Sequence, residues 1–219
     1  MELKGKKINF LGDSITEGCC ATSPERGFVE VMKRRYDLAE ARNYGIGGSR
    51  IASQKVPVFP GTPDRNYCMR AAQMDADADI VVVLGGTNDY GHGDAPLGNN
   101  HDRTPETFYG ACHVLFQLLK ERYPQSVILV ATPLHRASED DPYGEGYRSF
   151  PSAPLKEYVC ILRQTAAQYQ LSVLDLFETS AIKAHIPEIA AQLTTDGLHP
   201  NDVGHAILAC EIGEYLLHM

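Results

Sequence analysis

Apolar positions along the chain fall into short unbroken runs at 7–11, 79–84, 126–131 and 171–176, with a weaker one at 41–44, each bounded by Gly, Pro, Asn or Asp. Continuous rather than alternating apolar character is the pattern of a strand covered on both faces, so these runs predict buried parallel strands. Between them the apolar residues recur at helical spacing. Segment 26–36 carries Phe28, Val29, Met32 and Tyr36 on one face. Segment 104–123 opens on Thr-Pro-Glu, with Pro105 at the first helical position, and strings Phe108, Ala111, Cys112, Leu115 and Leu118 along one stripe. Segments 154–168 and 202–217 complete the set, the last capped at Asn201 or Asp202. Alternating strands and helices predict an α/β three-layer sandwich built on about five parallel strands. No internal repeat or low-complexity linker interrupts the pattern, so residues 1–219 are expected to form one domain. Two loops, 90–103 and 134–153, are long and rich in Gly, Pro and charge, the character of binding loops or lids.

Composition narrows the picture mainly by exclusion. With 219 residues, 43% of them hydrophobic and 22% charged, the chain is an ordinary globular one and not a disordered, collagen-like or disulfide-scaffold protein. A net charge of −8, with no basic run longer than Lys33, Arg34 and Arg35, argues against partners that need concentrated Lys and Arg, namely nucleic acid and anionic membranes. No signal-peptide apolar region follows the basic N-terminal residues, and runs such as Ile80–Leu84 fall far short of the roughly 20 residues that span a bilayer. A soluble, cytoplasmic protein is expected. Its six cysteines form no C-x-x-C pair and are expected to be reduced, mostly as small core residues.

Candidate chemistry gathers at the predicted strand ends. The first run closes in Gly12-Asp13-Ser14-Ile15-Thr16, which puts a serine at the carboxyl edge of the sheet, where open α/β folds bind ligands. After the weaker run comes Asn43-Tyr44-Gly45-Ile46-Gly47-Gly48-Ser49, whose backbone N–H groups are unshielded by side chains, as an anion cradle requires. The run Ile80–Leu84 opens into Gly85-Gly86-Thr87-Asn88-Asp89 and presents a two-donor amide at the same edge. Further on, Gly and Pro keep Asp196-Gly197-Leu198-His199-Pro200-Asn201 out of a helix, so a carboxylate and an imidazole share one tight loop. That spacing lets Asp196 hold one ring nitrogen while the other faces out as a base. Singly, each block is also accounted for by a polar turn closing a strand or lying on the surface. The conjunction carries the argument: activated serine chemistry needs a nucleophile, a base, an orienter and oxyanion donors, and each appears once on one edge.

GDSIT, NYGIGG, GGTND and DGLHP, in this order and spacing, resemble the four signature blocks of the SGNH hydrolases, the subgroup of GDSL esterases and lipases named for Ser, Gly, Asn and His. The blocks reach from Gly12 to Pro200. The resemblance implies Ser14 as nucleophile, His199 as general base and Asp196 as its orienter. It also implies an oxyanion hole made by the backbone N–H groups of Ser14 and Gly48 and the side-chain amide of Asn88. Gly48 is preferred to Gly45 and Gly47 because the family's oxyanion glycine stands five residues after the block's Asn, here Asn43. The implied fold is a flavodoxin-like α/β/α sandwich whose five-stranded parallel sheet has the order 2-1-3-4-5. Two features depart from minimal members: Ile15 stands where lipolytic relatives often have Leu, and the two loops are longer.

The remaining polar candidates have plainer expectations. His92, Asp94 and His101 follow Asn88 on a Gly-rich loop without ligand spacing, and no metal or other cofactor is expected. His205 and His218 are expected to face solvent or to cap the last helix. Arg50, His135, Arg136 and Arg148 are expected to be solvated loop residues within reach of the site, and Tyr67, Tyr90 and Tyr147 core or surface residues more than pocket walls. The function implied is hydrolysis of a short, acetyl-type carboxylic ester, the partner being a small molecule such as an O-acetylated carbohydrate. The alternatives are a lysophospholipase or thioesterase with a longer acyl chain and, from another class, a non-catalytic carbohydrate-binding protein.

Overall fold

A computed structural model describes residues 1–56, 64–144, 146, 148 and 150–219. The chain begins with β1 (Lys7–Gly12), a short helix α1 (Ser14–Glu17), helix α2 (Phe28–Arg35) and β2 (Glu40–Gly45). It continues through α3 (Tyr67–Ala71), β3 (Ile80–Leu84), α4 (Thr87–His92), α5 (Phe108–Arg122) and β4 (Val127–Ala131). The last part carries α6 (Leu155–Gln168), β5 (Ser172–Leu174), α7 (Leu176–Thr179), α8 (Pro187–Leu193) and α9 (Asp202–Leu217). All strand pairs are parallel and the sheet order is β2-β1-β3-β4-β5, the order that the family resemblance implies. Gly12, the last residue of β1, pairs with Gly45 on one side and Leu84 on the other, so three of the four chemical blocks leave the sheet at one level.

The central strand shows why the runs are continuous. Val81 and Val83 point into an apolar layer with residues of α3, α5 and α6, whereas Ile80, Val82 and Leu84 point into another with residues of α2 and α9. Each face buries alternate residues, so a strand between two helical layers has no polar side to show. β2 reads weakly because it is an edge strand: none of its residues is fully buried, Asn43 is exposed, and Arg42 pairs with Glu40 and Asp77. In α9 the buried residues Gly204, His205, Leu208, Ala209, Ile212, Gly213 and Leu216 form one stripe, and a side chain at Gly213 would collide with the ring of Tyr36.

Two helix details depart from expectation. The helix expected over 104–123 begins at Phe108, one turn later, because the Thr107 hydroxyl caps Gly110 N–H at 3.1 Å while the Phe108 and Tyr109 amides donate to Pro96 and Leu97. Pro105 therefore precedes the helix, its carbonyl accepting from Ser53 N–H. On the same helix the stripe buries Leu119, with Leu118 only partly covered. Asn201 caps α9, accepting from Val203 N–H and Gly204 N–H. Among the described residues no helix is long and apolar enough to cross a membrane.

Candidate active site

Ser14 is the first residue of α1, directly beyond β1, where Asp13 caps the helix through a 3.0 Å bond from Ile15 N–H. Burial pushes the Asp13 carboxyl up to about 6, although Ile15 N–H, His199 and Arg70 act to lower it. His199 arrives from a chain position 185 residues away, and its Nε2 lies 2.9 Å from Ser14 Oγ. On the other side of the ring, Nδ1 stands 2.7 Å from Asp196 Oδ2. Asp196 Oδ1 accepts from the backbone N–H groups of His199 and Leu198, at 2.8 and 3.0 Å. Burial pushes the Asp196 carboxyl up, but the backbone and ring N–H groups of His199 outweigh it and hold the group below its ordinary value. An ionised Asp196 can only accept, so Nδ1 carries the ring proton and the Nε2 lone pair meets the serine O–H. A proton can therefore pass from Ser14 to His199 without rearrangement.

Gly48 and Asn88 line the same cleft as Ser14 and His199. Gly48 has φ +71°, a left-handed conformation that glycine adopts without strain. Gly47 N–H is taken by Glu17 at 2.8 Å, whereas among the described residues no protein acceptor takes the N–H of Gly48 or of Ser14. Gly45 N–H is likewise taken, by Asn43 Oδ1 at 2.8 Å. Asn88 lies in the first turn of α4; its Nδ2 donates to Ser49 carbonyl at 3.1 Å, which leaves the second amide hydrogen. Ser14, Gly48, Asn88, Asp196 and His199 all line one cleft of about 530 Å³. Arg65, Arg136 and Glu17 add charge to its wall, and the large aliphatic residues there are Ile46 and Leu198.

Several supporting residues were invisible as such in the sequence. Asp89 is buried and accepts from Ile51 and Ala52 N–H at 3.0 and 2.9 Å, which fastens the segment after Gly48 to α4. Burial pushes its carboxyl up to about 6, with those two N–H groups and Arg50 acting to lower it. Arg70 donates to Gly12 carbonyl, Tyr44 carbonyl and Ser49 Oγ and so ties the ends of β1 and β2 to the Gly48 segment. Asn43 Nδ2 bonds Thr16 carbonyl at 2.7 Å, linking β2 to α1.

Other expectations are corrected. Arg50, Arg136 and Arg148 are 4%, 3% and 8% exposed rather than solvated. Arg148 donates to the Asp89 and Tyr90 carbonyls, and Arg136 contacts Thr87 and lies 5.3 Å from the centre of the Tyr90 ring. For Arg136 and Arg148 backbone carbonyls explain the burial, since a guanidinium with five donors can replace water with them, whereas Arg50 meets the His92 ring and lies 3.7 Å from Asp94. His205 is fully buried, stacked on Phe28, accepting from Phe28 N–H at Nδ1 and donating to Cys19 carbonyl from Nε2. Tyr67 and Tyr90 are core residues, and Tyr147 lies outside the described residues. The loop expected from residue 90 starts later, since Tyr90 to His92 belong to α4. His92 turns its ring nitrogens to Asn88 and Arg50. Among the described residues, trios with ligand atoms within 4.8 Å of one another occur elsewhere, at Cys19, Cys20 and His199 and at His135, Glu139 and His185.

With this geometry in view, the chain matches the GDSL-like lipase/acylhydrolase family over residues 10–207. Among curated proteins none matches it. The solved structure of a Lactobacillus plantarum protein is 29% identical with a TM-score of 0.83, covering 97% of each chain. A carbohydrate acetylesterase family member from Sinorhizobium meliloti is 18% identical with a TM-score of 0.65, covering 96% of this chain and 97% of its own. A two-domain esterase active on acetylated mannans is 21% identical with a TM-score of 0.61, covering 96% of this chain and 48% of its own. At such identities the last two likenesses show the fold alone. The 2-1-3-4-5 parallel sheet and its four edge blocks define the SGNH class of ester hydrolases. The chain belongs to the GDSL-like lipase/acylhydrolase family.

Proposed function

We propose that this protein is a serine esterase that hydrolyses short-chain, acetyl-type esters of soluble alcohols, carbohydrates foremost, and that residues 1–219 act as one catalytic domain. The observation that carries the reading is the unbroken chain Ser14 Oγ, His199, Asp196 in a cleft that also presents Gly48 and Asn88. Ser14 Oγ attacks the ester carbonyl carbon while its proton passes to His199 Nε2. The oxyanion is held by the N–H groups of Ser14 and Gly48 and the Asn88 amide. Collapse of the intermediate expels the alcohol, which takes the proton back from His199. A water then attacks the acyl-enzyme, gives its proton to His199, and releases the carboxylic acid with Ser14 restored.

Short acyl groups are favoured by the wall of the cleft. A long acyl chain gains its affinity from apolar burial, and here Ile46 and Leu198 stand among Arg65, Arg136, Glu17 and Asp196. Two structural likenesses are to proteins named for acetylated carbohydrates, which agrees with this class. On a p-nitrophenyl ester panel from acetate to palmitate, kcat/KM is expected to be highest at acetate and to fall with length. S14A is expected to abolish the activity while retaining the wild-type circular dichroism. A maximum at long chains would favour a lysophospholipase or thioesterase, and an inactive wild type that still binds sugar would favour a non-catalytic binding protein.

A further inference from the structure

Asn88 can serve an oxyanion only if its amide is turned the right way, because the nitrogen end donates and the oxygen end repels. The structure fixes that choice through residues outside the four signature blocks. Arg50 Nε lies 3.2 Å from His92 Nδ1, and a guanidinium N–H can only donate, so Nδ1 is the unprotonated nitrogen. The ring proton therefore sits on Nε2, which lies 3.0 Å from Asn88 Oδ1 and donates to it. With Oδ1 identified as the acceptor, Nδ2 is the end that donates to Ser49 carbonyl, and its second hydrogen remains for a ligand. Each direction follows from the one before, beginning with a group that cannot be reversed.

We propose that His92, held by Arg50, is a positioning residue that locks the Asn88 amide in the orientation an oxyanion requires. Two further features support it. His92 stands four residues after Asn88, one turn along α4, so the two side chains share a helix face. Burial, then Arg50 and Arg136, depress the imidazole to about 4, so the ring stays neutral and keeps an Nδ1 acceptor for Arg50 throughout the neutral range. Arg50 in turn is buried, with its Nη1 3.7 Å from Asp94 Oδ1. The cost of losing the lock is conformational: a freed amide samples the orientation in which Oδ1 faces the developing negative charge.

This inference rests on the oxyanion role of Asn88 proposed above, and a double-mutant cycle separates the two. H92Q keeps a donor near the position of Nε2, whereas H92N reaches only as far as Nδ1 and loses the contact with Asn88. On p-nitrophenyl acetate, H92N is expected to lower kcat about tenfold with KM changed less than about twofold, the scale of one lost hydrogen bond. H92Q is expected to recover at least about a third of the wild-type kcat. N88A alone is expected to lower kcat by about 10²–10³-fold, and adding H92N to N88A is expected to cost less than about twofold more. Both His92 variants are polar and no larger than the native ring, and their thermal midpoints report whether each is folded. Full activity of folded H92N, equal losses in H92Q and H92N, or a loss in H92N that multiplies undiminished onto N88A would each overturn the positioning role while leaving the esterase reading intact. An N88A enzyme with wild-type kcat would overturn both the oxyanion role and the lock.

Discussion

At the scale of single residues, three titrating groups around the cleft, the buried Asp13 and Asp89 and the partly buried His92, set opposing responses to acid. His92 is depressed from 6.5 to about 4 by burial and by Arg50, Arg136 and Arg148, so between those values the unfolded chain holds more proton on this ring than the folded one. Its contribution to stability is complete above 6.5 and is lost as pH falls through 4. Asp13 and Asp89, raised from 3.8 to about 6, behave oppositely: their contribution is complete below 3.8 and is lost as pH rises through 6. H92Q removes the first effect and leaves the second. Relative to wild type, the thermal midpoint of H92Q is expected to rise as pH goes from about 7 to about 4.5, by an amount equivalent to about 2–3 kcal/mol. A difference between the two proteins that is independent of pH would contradict a His92 held neutral in the folded protein.

At the scale of elements, the site depends on how closely α1 sits on β2. A Cβ on Gly45 would fall inside the backbone of Thr16 and Glu17, and neither neighbour is a flexible side chain that could yield. Gly45→Ala is therefore expected to destabilise the protein by about 1–3 kcal/mol, read as a lower urea midpoint at unchanged slope, and to reduce activity by displacing Ser14. A midpoint equal to that of wild type would show that α1 can move away without cost. Elements were legible in the sequence in proportion to their burial and length. β1, β3 and β4 stood out because both their faces are covered, and α9 because the helix runs for sixteen residues with a buried stripe from Gly204 to Leu216. Elements α3, α4 and α7, four to six residues long, are too short for helical periodicity to emerge. The four residue blocks were legible because their chemistry is carried by residue type and order. Arg70, Arg148 and Asp89 were not, because what they do is bond backbone groups distant in sequence, and a charged residue carries no mark of which amide or carbonyl it will meet. His205 misled for the same reason: its burial depends on Phe28 N–H and Cys19 carbonyl.

At the scale of the whole molecule, the fold brings both ends of the chain to one edge of the sheet. Ser14 and Asn88 leave β1 and β3 at the switch point of the 2-1-3-4-5 order, Gly48 follows β2 beside them, and the loop holding Asp196 and His199 closes the cleft just before α9. The long loop expected over 134–153 is tied back to this assembly rather than left free, through Arg148 to α4 and through Ala137 N–H to Gly197 carbonyl at 2.8 Å. The net charge of −8, which argues against polyanionic partners, coexists with a cleft whose wall includes Arg65 and Arg136. The central claim is that Ser14, activated by His199, is the nucleophile, and covalent capture tests it most directly. Incubation with a serine-directed fluorophosphonate followed by intact-mass and peptide-mapping mass spectrometry is expected to place one adduct on Ser14 of the wild type. H199A, folded but without its base, is expected to label far more slowly. An adduct on another residue, or an unlabelled protein that still hydrolyses p-nitrophenyl acetate in the presence of the reagent, would contradict the account.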